Sequence, residues 1–378
     1  MRSVLVFFTF VLVAYAQNNT VDECTNENCK LPNCRCSSTD IPGGLKPHEV
    51  PQFVVLSFHD SVTSSNYPTY QSLLFGRKNT NNCGIGANFY VSHEYSDYTF
   101  VNELYSQGFE IGLHAISQGS QSYFRDADKD TLTREFVDQR TLISNFAALP
   151  AAAIQGLRMP YLQMSGDTSF EMMKDAGFRY DYSMPTISSL NPGLWPYTLD
   201  FASTQDCVIE PCPSKSFPGL WVIPMISWLD LGKGACSTVD GCLNQPGDQD
   251  ADGWFRFIVE NFERQYLGNR APFTFAVREA YVRTKPGLRE ALTRFLNMIN
   301  SMRDVFMVNA SELLDWVEKP VALGDYIKQS CRTILPGRRC RPVVCRNLAS
   351  THSHELFNMN NCISCPRVYP WLGNPLGR

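Results

Sequence analysis

Residues 54–60 have the sequence VVLSFHD, an apolar run of strand length that ends in the polar pair His59 and Asp60. A buried parallel strand presents functional side chains in this way, at its C-terminal end. We therefore expect a strand that crosses the core and delivers His59 and Asp60 to a site at one edge of a sheet.

Similar apolar runs recur along the chain and alternate with helical stretches. The strand-like runs lie at 53–58, 87–91, 109–114, 157–160, 221–225, 272–277 and 305–309, and the helical ones at 98–107, 132–149, 253–266 and 287–302. This alternation predicts an α/β fold with a parallel sheet, and about 270 residues suit one barrel. An open doubly wound sheet is the alternative. Its nucleotide-binding version is disfavoured because no Gly-rich phosphate loop follows the first strand.

The N-terminus has the pattern of a secretory signal peptide. Arg2 precedes an apolar run at 4–13, and the sequence AYA at 14–16 fits a cleavage site before Gln17. The run is shorter than the ~20 residues of a membrane-spanning helix, and no later segment is long and apolar enough to span. We expect a secreted, extracellular protein with no membrane partner.

Fourteen cysteines, all after the signal sequence, favour an oxidising compartment and disulfide bonds, whose pairing the spacing leaves open. The sequence CISC at 362–365 also fits a metal or redox motif, but we expect disulfides. Asn18 and Asn309 begin glycosylation sequons. The predicted organisation is a signal peptide at 1–16, a Cys-rich segment at 17–48, a barrel at 49–320 and a Cys-rich extension at 321–378. A net charge of −4 without a long basic tract argues against nucleic acid as a partner.

Three segments resemble motifs of the polysaccharide deacetylases, whose fold is an irregular (β/α) barrel with fewer than eight strands. In that family a strand ends in Thr-Phe-Asp-Asp, where the first Asp is the general base and the second binds zinc. Here His59 replaces the base and Asp60 keeps the ligand position. The family motif His-x-x-x-His becomes HAISQ, with His114 retained and Gln118 in place of the second imidazole. A later family strand ends in a catalytic His, and here PFTFAVR ends in Arg278.

The resemblance implies a zinc site with two good ligands, Asp60 and His114, and a weak third position at Gln118. Zinc binding is therefore expected to be weak or absent, because a catalytic zinc normally has three strong protein ligands. His59 has three possible roles: a replacement ligand, a weak base, or a residue that only fills the old site. Arg278 cannot donate a proton near neutral pH, so we expect it to form a salt bridge, with Asp60 as one candidate partner.

The parts that face a sugar in the family are better preserved. The sequence GLRMPY at 156–161 resembles the family's Arg-x-Pro-Tyr motif, in which the Arg orients the base and the aromatic residue lines the acetyl pocket. Tyr182 in DYSMP and Trp228 in WLDL lie in segments similar to those of insect-type chitin deacetylases. We expect Arg158, Tyr161, Tyr182 and Trp228 to bind sugar. Each aromatic residue taken singly also fits a core position, because large apolar side chains are mostly buried.

The similarity to insect-type chitin deacetylases spans residues 51–371 and includes no accessory chitin-binding module. It predicts a chitin-binding protein of an extracellular chitin matrix, similar to the short forms of the peritrophic matrix, that has lost catalysis. The alternatives are a working metal-dependent chitin deacetylase in which His59, Asp60 and His114 hold the metal, and a scaffold protein whose cleft binds nothing.

Overall fold

The computed structural model describes residues 23–378. The predicted signal peptide at 1–16 and the sequon at Asn18 lie outside the described residues. Within residues 23–378 there is no helix of the length and apolarity that crossing a membrane requires.

Fifteen strands and eleven α-helices make up the regular structure of residues 23–378. The strands are β1 Gln52–His59, β2 Asn88–Val91, β3 Glu110–Leu113, β4 Gly156–Leu157, β5 Tyr180–Asp181, β6 Pro185–Thr186, β7 Tyr197–Leu199, β8 Phe217–Val222, β9 Met225–Ile226, β10 Trp228–Leu229, β11 Ala235–Cys236, β12 Phe273–Arg278, β13 Val305–Met307, β14 Val343–Ala349 and β15 Leu356–Asn361. The helices are α1 Tyr67–Leu74, α2 Tyr98–Ser106, α3 Gln121–Arg125, α4 Lys129–Leu132, α5 Asp138–Phe146, α6 Asp167–Asp175, α7 Ala251–Tyr266, α8 Glu279–Thr284, α9 Pro286–Ser301, α10 Ala310–Glu318 and α11 Leu323–Tyr326.

Nine strands form one curled sheet in the order β12-β1-β2-β3-β4-β5-β8-β7, with β13 also paired to β1. All pairs are parallel except β7 with β8, which is antiparallel at the edge. The short strand β9 and the segment after it reach the opposite edge, where Thr274 Oγ1 donates to the Ile226 carbonyl at 3.3 Å and Trp228 Nε1 donates to the Thr274 carbonyl at 2.9 Å. The sheet is thus an irregular, partly closed barrel, as predicted, and not an open doubly wound sheet.

Strand β1 shows why the sheet curls around an interior. Val54, Leu56 and Phe58 pack in the larger apolar cluster that contains the surrounding helices. Phe53 and Val55 point the other way and pack in a second cluster inside the sheet, which also contains residues of α10. Successive side chains of a strand point to opposite faces, so apolar residues at consecutive positions, as at 53–56, fit a strand buried on both sides. The same alternation places His59 on the inner face.

Every strand-like run in the sequence contains or overlaps a strand of the sheet, with bounds that differ by a few residues. The predicted helix at 132–149 is the least regular, because it begins in α4, passes through a π-helical turn at Thr133–Val137 and continues as α5. A π-helical turn continues the helix, and no Gly or Pro in residues 129–146 marks where it begins, so the sequence pattern did not reveal it.

All fourteen cysteines form disulfides, which confirms that prediction and supplies the pairing that spacing left open. The pairs are Cys24–Cys36, Cys29–Cys34, Cys83–Cys331, Cys207–Cys212, Cys236–Cys242, Cys340–Cys362 and Cys345–Cys365. Cys362 and Cys365 pair with different partners, so the CISC sequence is neither a redox pair nor a metal motif.

The C-terminal extension packs against the barrel through His93, two residues beyond β2. The buried His93 lies between Tyr98 and the tail: its Nδ1 is 2.6 Å from the Tyr98 hydroxyl and its Nε2 is 2.9 Å from the Pro370 carbonyl. Its ring also stacks on Tyr369, with 4.7 Å between ring centroids. The tail is therefore fixed to the barrel by buried contacts as well as by the Cys83–Cys331 bridge. The domain boundaries drawn from the sequence remain a prediction.

The glycosylation sequon at Asn309 is inaccessible in the folded chain. Asn309 is buried at the N-terminus of α10, where its Nδ2 donates to the Gly108 carbonyl at 2.9 Å and its Oδ1 accepts from the Ala87 N–H at 3.1 Å. Because the nitrogen that would carry the glycan is buried and bonded, the interpretation of Asn309 as an acceptor is wrong for the folded protein.

Candidate functional site

A pocket of about 350 Å³ opens at the C-terminal ends of the parallel strands. It is lined by seven of the nine residues singled out in the sequence, namely His59, Asp60, His114, Gln118, Arg158, Tyr161 and Arg278. They converge because the carboxyl ends of parallel strands meet at one edge of a sheet.

Asp60 is placed by the turn at the end of β1. Its φ of 92° lies in the left-handed region, and β2 holds the turn because the Asp60 N–H donates to the Tyr90 carbonyl and the Ser92 N–H donates to the Asp60 carbonyl. The carboxylate is half exposed, with 47% of its side-chain surface accessible. Partial burial raises its pKa, Arg278 opposes that shift, and Asp240 adds to it.

His114 has the tautomer and direction that a metal ligand needs. Its Nδ1 lies 2.9 Å from the Arg158 carbonyl, which can only accept, so Nδ1 carries the proton and Nε2 has a free lone pair. That Nε2 is 4.0 Å from Asp60 Oδ1. Burial lowers the pKa of His114 to about 4, so the ring is neutral at physiological pH. Asp60 and His114 could thus supply two of the three strong ligands that a catalytic zinc normally has.

The third ligand position does not fit a catalytic metal. Gln118 is exposed at the pocket and offers only a neutral amide. Within residues 23–378, the one group of three His, Cys, Asp or Glu ligand atoms that lie within 4.8 Å of one another is Cys24, Cys29 and Cys36, whose sulfurs are in disulfides. His59 therefore does not join Asp60 and His114 in a three-ligand set of the kind that a catalytic zinc needs.

Arg158 is buried, and among the described residues no carboxylate lies at hydrogen-bond distance from it. It is 1% exposed, its Nε donates to the Tyr182 carbonyl and its Nη2 donates to Ser57 Oγ, both at 3.0 Å. Its guanidinium carbon lies 4.4 Å from the ring centroids of both Tyr90 and Tyr182. Nη1 has no hydrogen-bond partner among the described residues. Cation–π contacts from two rings offset part of the cost of burying the charge.

His59 lies beside this cation and stays neutral. Burial, and then the neighbouring His114, Arg158 and Arg278, lower its pKa well below the usual value. Its ring centroid is 5.3 Å from that of His114, and its Nδ1 is buried with no partner among the described residues. A base must accept a proton, and a positive imidazolium here would face a second buried positive charge, so His59 is a poor base.

Arg278 forms a salt bridge with Asp240 and not with the candidate Asp60. Its Nε donates to Asp240 Oδ2 at 2.7 Å, and the Asp240 side chain is only 5% exposed. Although burial opposes its charge, the paired carboxylate raises the pKa of Arg278 further. Arg278 therefore cannot supply a proton to a leaving group.

Tyr182 and Trp228 do not line the pocket, and this corrects the sequence-based prediction for both residues. Tyr182 is fully buried under Arg158, and Trp228, 3% exposed, packs against Phe273 and Phe275. Neither ring can contact a bound polymer in this structure. Tyr161 is different: it is 55% exposed at the pocket, on a turn where its φ is 57°.

Two important acidic residues gave no recognisable signal in the sequence. Glu135 is fully buried and accepts the N–H groups of Ile116 and Ser117 at 2.9 Å, which fixes the loop between His114 and Gln118. Asp240 lies in a loop closed by the Cys236–Cys242 disulfide. Both act across long sequence separations, and a lone acidic residue in a loop has no periodicity that predicts its partner.

The chain is similar to known proteins over its whole length. It is 50% identical over 382 residues to chitin deacetylase 8 of Bombyx mori, covering 100% of both chains. The chain belongs to the chitin deacetylase family. A second relative in this family, chitin deacetylase 1 of Bombyx mori, is 31% identical over 385 residues, which cover 95% of this chain and 69% of that protein.

No protein-family model matches the chain. Among solved structures it is similar to a family 4 acetyl xylan esterase from Clostridium thermocellum in complex with a cobalt ion, with a TM-score of 0.41 and 13% identity. The alignment covers 75% of this chain and 98% of that one. The assignment to the chitin deacetylase family rests on the two Bombyx mori relatives and not on this likeness.

Proposed function

We propose that this member of the chitin deacetylase family is a secreted protein that binds chitin in an extracellular matrix and does not deacetylate it. The observation that carries the proposal is electrostatic: the base position is a neutral imidazole beside the buried Arg158, and the acid position is a guanidinium paired with Asp240. Fourteen cysteines in seven disulfides support secretion, because such bonds persist in oxidising compartments. A setting similar to the peritrophic matrix is part of the proposal.

Amide hydrolysis needs an activated water and a proton for the departing amine. In this pocket His59 accepts a proton poorly, since its positive form would face the charge of Arg158. Arg278 holds its proton too firmly to donate it. Losing either a general acid or a general base costs typically ~10²–10⁴ in rate, so the loss of both supports an inactive protein.

The residues at the metal position also support an inactive protein. Family members are expected to use zinc, and here Asp60 and His114 fit two ligands while the third position is an amide. We infer weak zinc binding at most, because two strong protein ligands are one fewer than a catalytic zinc normally has.

The rival function is a working deacetylase in which His59 becomes the third ligand. That arrangement requires the His59 ring to move toward Asp60 and His114, since the three ligand atoms do not lie within 4.8 Å of one another. The ring would also leave the enclosed position where its Nδ1 is now buried. These costs make the rearranged site the weaker proposal.

Binding of chitin is proposed from the rim of the same pocket. The exposed ring of Tyr161 offers a flat apolar face, and the apolar C–H faces of pyranose rings suit such a surface. The side chains of Gln118 and Thr238 line the same opening and can bond to hydroxyl or acetamide groups. Since these contacts are uncharged, binding should change little with salt.

Acetate release from chitin oligomers, with zinc or cobalt supplied, tests the loss of catalysis. The natural protein should not exceed a control without enzyme. The triple reversion His59→Asp, Gln118→His and Arg278→His restores base, ligand and acid together and should gain metal-dependent turnover. Adding Asp60→Ala to the triple variant should remove the gain. Robust turnover by the natural protein that Asp60→Ala abolishes would refute the proposal and favour the rearranged site.

Retention on chitin beads in high salt tests the binding function. Tyr161→Ala should weaken retention. Leu267→Ala removes a comparably exposed apolar side chain, 76% accessible, at the end of α7 and serves as the matched control. Retention that disappears in salt, or that Tyr161→Ala leaves unchanged, would place binding outside the pocket or show that the pocket binds no chitin.

A further inference from the structure

The C-terminal extension contains a stretch whose charge is opposite to that of the rest of the chain. Between Asp325 and Glu355 there are six Lys or Arg residues and no Asp or Glu, whereas the whole chain has a net charge of −4. The remainder of the protein therefore has a net charge of −10. A local positive charge of this density indicates which partners the segment can bind, and it does not bear on the fold.

Four arginines of this stretch lie on the surface and form no salt bridge with any acidic side chain in the described part of the chain. Arg338, Arg339, Arg341 and Arg346 are all exposed. Arg338 Nη2 donates only to the Asn145 carbonyl at 3.3 Å. Across residues 23–378, the guanidinium groups of Arg339, Arg341 and Arg346 donate to no other group and form no salt bridge. Surface arginines elsewhere in the chain often pair with carboxylates, as Arg125 does with Asp126 and Arg294 with Asp252.

Disulfides hold these arginines in a fixed arrangement. Residues 331–342 have no regular secondary structure, and the chain then enters β14. Cys331 is bonded to Cys83 in the barrel, and Cys340 and Cys345 are bonded to Cys362 and Cys365. The Arg341 N–H also donates to the Cys362 carbonyl at 3.0 Å. A segment fixed in this way loses little conformational entropy when it binds a ligand.

The spacing of these arginines suits a flexible chain that bears sulfate or carboxylate groups. Arg338, Arg339 and Arg341 lie in the sequence GRRCRP, a short Arg-rich motif of the kind found in heparin-type patches. Their Cα atoms span at most about 11 Å, since each of the three steps adds no more than ~3.6 Å. Guanidinium groups bind sulfate, phosphate and carboxylate oxygens through paired N–H donors, which a lysine cannot reproduce.

The negative charge of the rest of the protein favours one class of anionic partner over the others. A membrane surface or a nucleic-acid duplex is broad and would bring many of its negative groups against a body of net charge −10. A single polysaccharide chain can follow the narrow Arg-rich stretch and avoid that repulsion. We infer that residues 338–346 bind an anionic, sulfated or uronic polysaccharide, at a site separate from the pocket, so that the protein can bridge neutral chitin and an acidic glycan.

Heparin, as a defined sulfated polysaccharide, is the probe for this inference. The intact secreted protein should bind immobilised heparin at physiological ionic strength, with an affinity that falls steeply as salt rises, because bound counterions are released. The triple change Arg338→Ser, Arg339→Ser and Arg341→Ser should weaken binding by about tenfold or more, the product of three exposed ion pairs. Retention on chitin should stay unchanged, which separates this inference from the proposed function.

Two matched variants complete the design. Arg134→Ser, Arg256→Ser and Arg303→Ser remove the same charge from exposed positions elsewhere and should keep heparin affinity within about twofold. Replacing the three motif arginines by Lys keeps the charge and should give an intermediate affinity. The inference would be overturned if the control variant with three changes elsewhere lost as much heparin affinity as the variant without the motif arginines. It would also be overturned if the latter variant lost none. Tighter binding to duplex DNA or to anionic vesicles than to heparin would overturn it in favour of those partners.

Discussion

Acid should weaken the attachment of the C-terminal tail through one buried histidine, His93. Its Nδ1 accepts from the Tyr98 hydroxyl and its Nε2–H donates to the Pro370 carbonyl. A second proton, at Nδ1, would force the Tyr98 hydroxyl to accept instead of donate, and the phenol proton would then have no acceptor among the described residues. Burial lowers the pKa of His93 to about 3, an effect that exceeds the opposing hydrogen bond to Pro370. The unfolded chain binds this proton at its ordinary pKa of about 6.5.

The sign and size of the effect follow from this difference. A histidine whose pKa is lowered in the folded state stabilises that state above its unfolded pKa, and the contribution is lost as the pH falls toward the folded value. A difference of about 3.5 in pKa corresponds to about 5 kcal/mol in total. Between about pH 6 and about pH 4.5 the loss due to His93 should be about 2 kcal/mol of unfolding free energy.

Urea unfolding of the disulfide-intact protein at these two pH values measures the loss, with His93→Gln as the test variant. Glutamine can still donate to Pro370 and accept from Tyr98 but cannot gain a charge. The variant should therefore lose about 2 kcal/mol less than the natural protein on acidification, even if its stability at neutral pH is lower. His354→Gln is the matched control, since His354 is exposed and should leave the pH dependence unchanged.

Other buried groups, among them His114 and Asp181, also change protonation in this range, with opposite signs. Burial lowers the pKa of His114 to about 4 and raises that of Asp181 to about 6. The comparison between the natural protein and His93→Gln cancels their contributions, because both proteins contain them. Identical pH dependence in the two proteins would refute the assignment of the neutral, doubly bonded imidazole to His93.

Three further outcomes are expected. Gln118→His should raise zinc affinity at least about tenfold in equilibrium dialysis, because it adds the third strong ligand; unchanged affinity would mean that the loop cannot reach Asp60 and His114. Trp228→Ala should lower the unfolding free energy by ~3–5 kcal/mol, as expected for a core aromatic residue, and a loss below about 1 kcal/mol would contradict its burial. Glu135→Gln should lower the unfolding free energy by about 1–3 kcal/mol in the same assay. The reason is that an amide cannot accept from both backbone N–H groups and the Tyr123 hydroxyl as a carboxylate does. An unchanged unfolding free energy would show that the carboxylate is not needed.

The sequence was sufficient for the features that depend on local pattern. Apolar runs of strand length, separated by helical periodicity, predicted the parallel sheet, and the polar residues after those runs predicted the pocket. The physical reason is geometric: parallel strands deliver their C-terminal residues to one edge, so His59, His114 and Arg278 meet although they are far apart in the chain. The sequence alone also identified which residues replace the family's catalytic and ligand residues at that edge.

Only the tertiary structure decided which aromatic residues can contact a ligand and which charges pair. Tyr161 and Tyr182 look alike in sequence, yet one is on an exposed turn and the other lies under a buried guanidinium. Arg278 had Asp60 as a nearby candidate but pairs with Asp240, which a disulfide-closed loop places beside it. Burial and ion pairing depend on how segments that are far apart in the chain pack against each other. The order of residues along the chain does not give the distances between those segments in the fold.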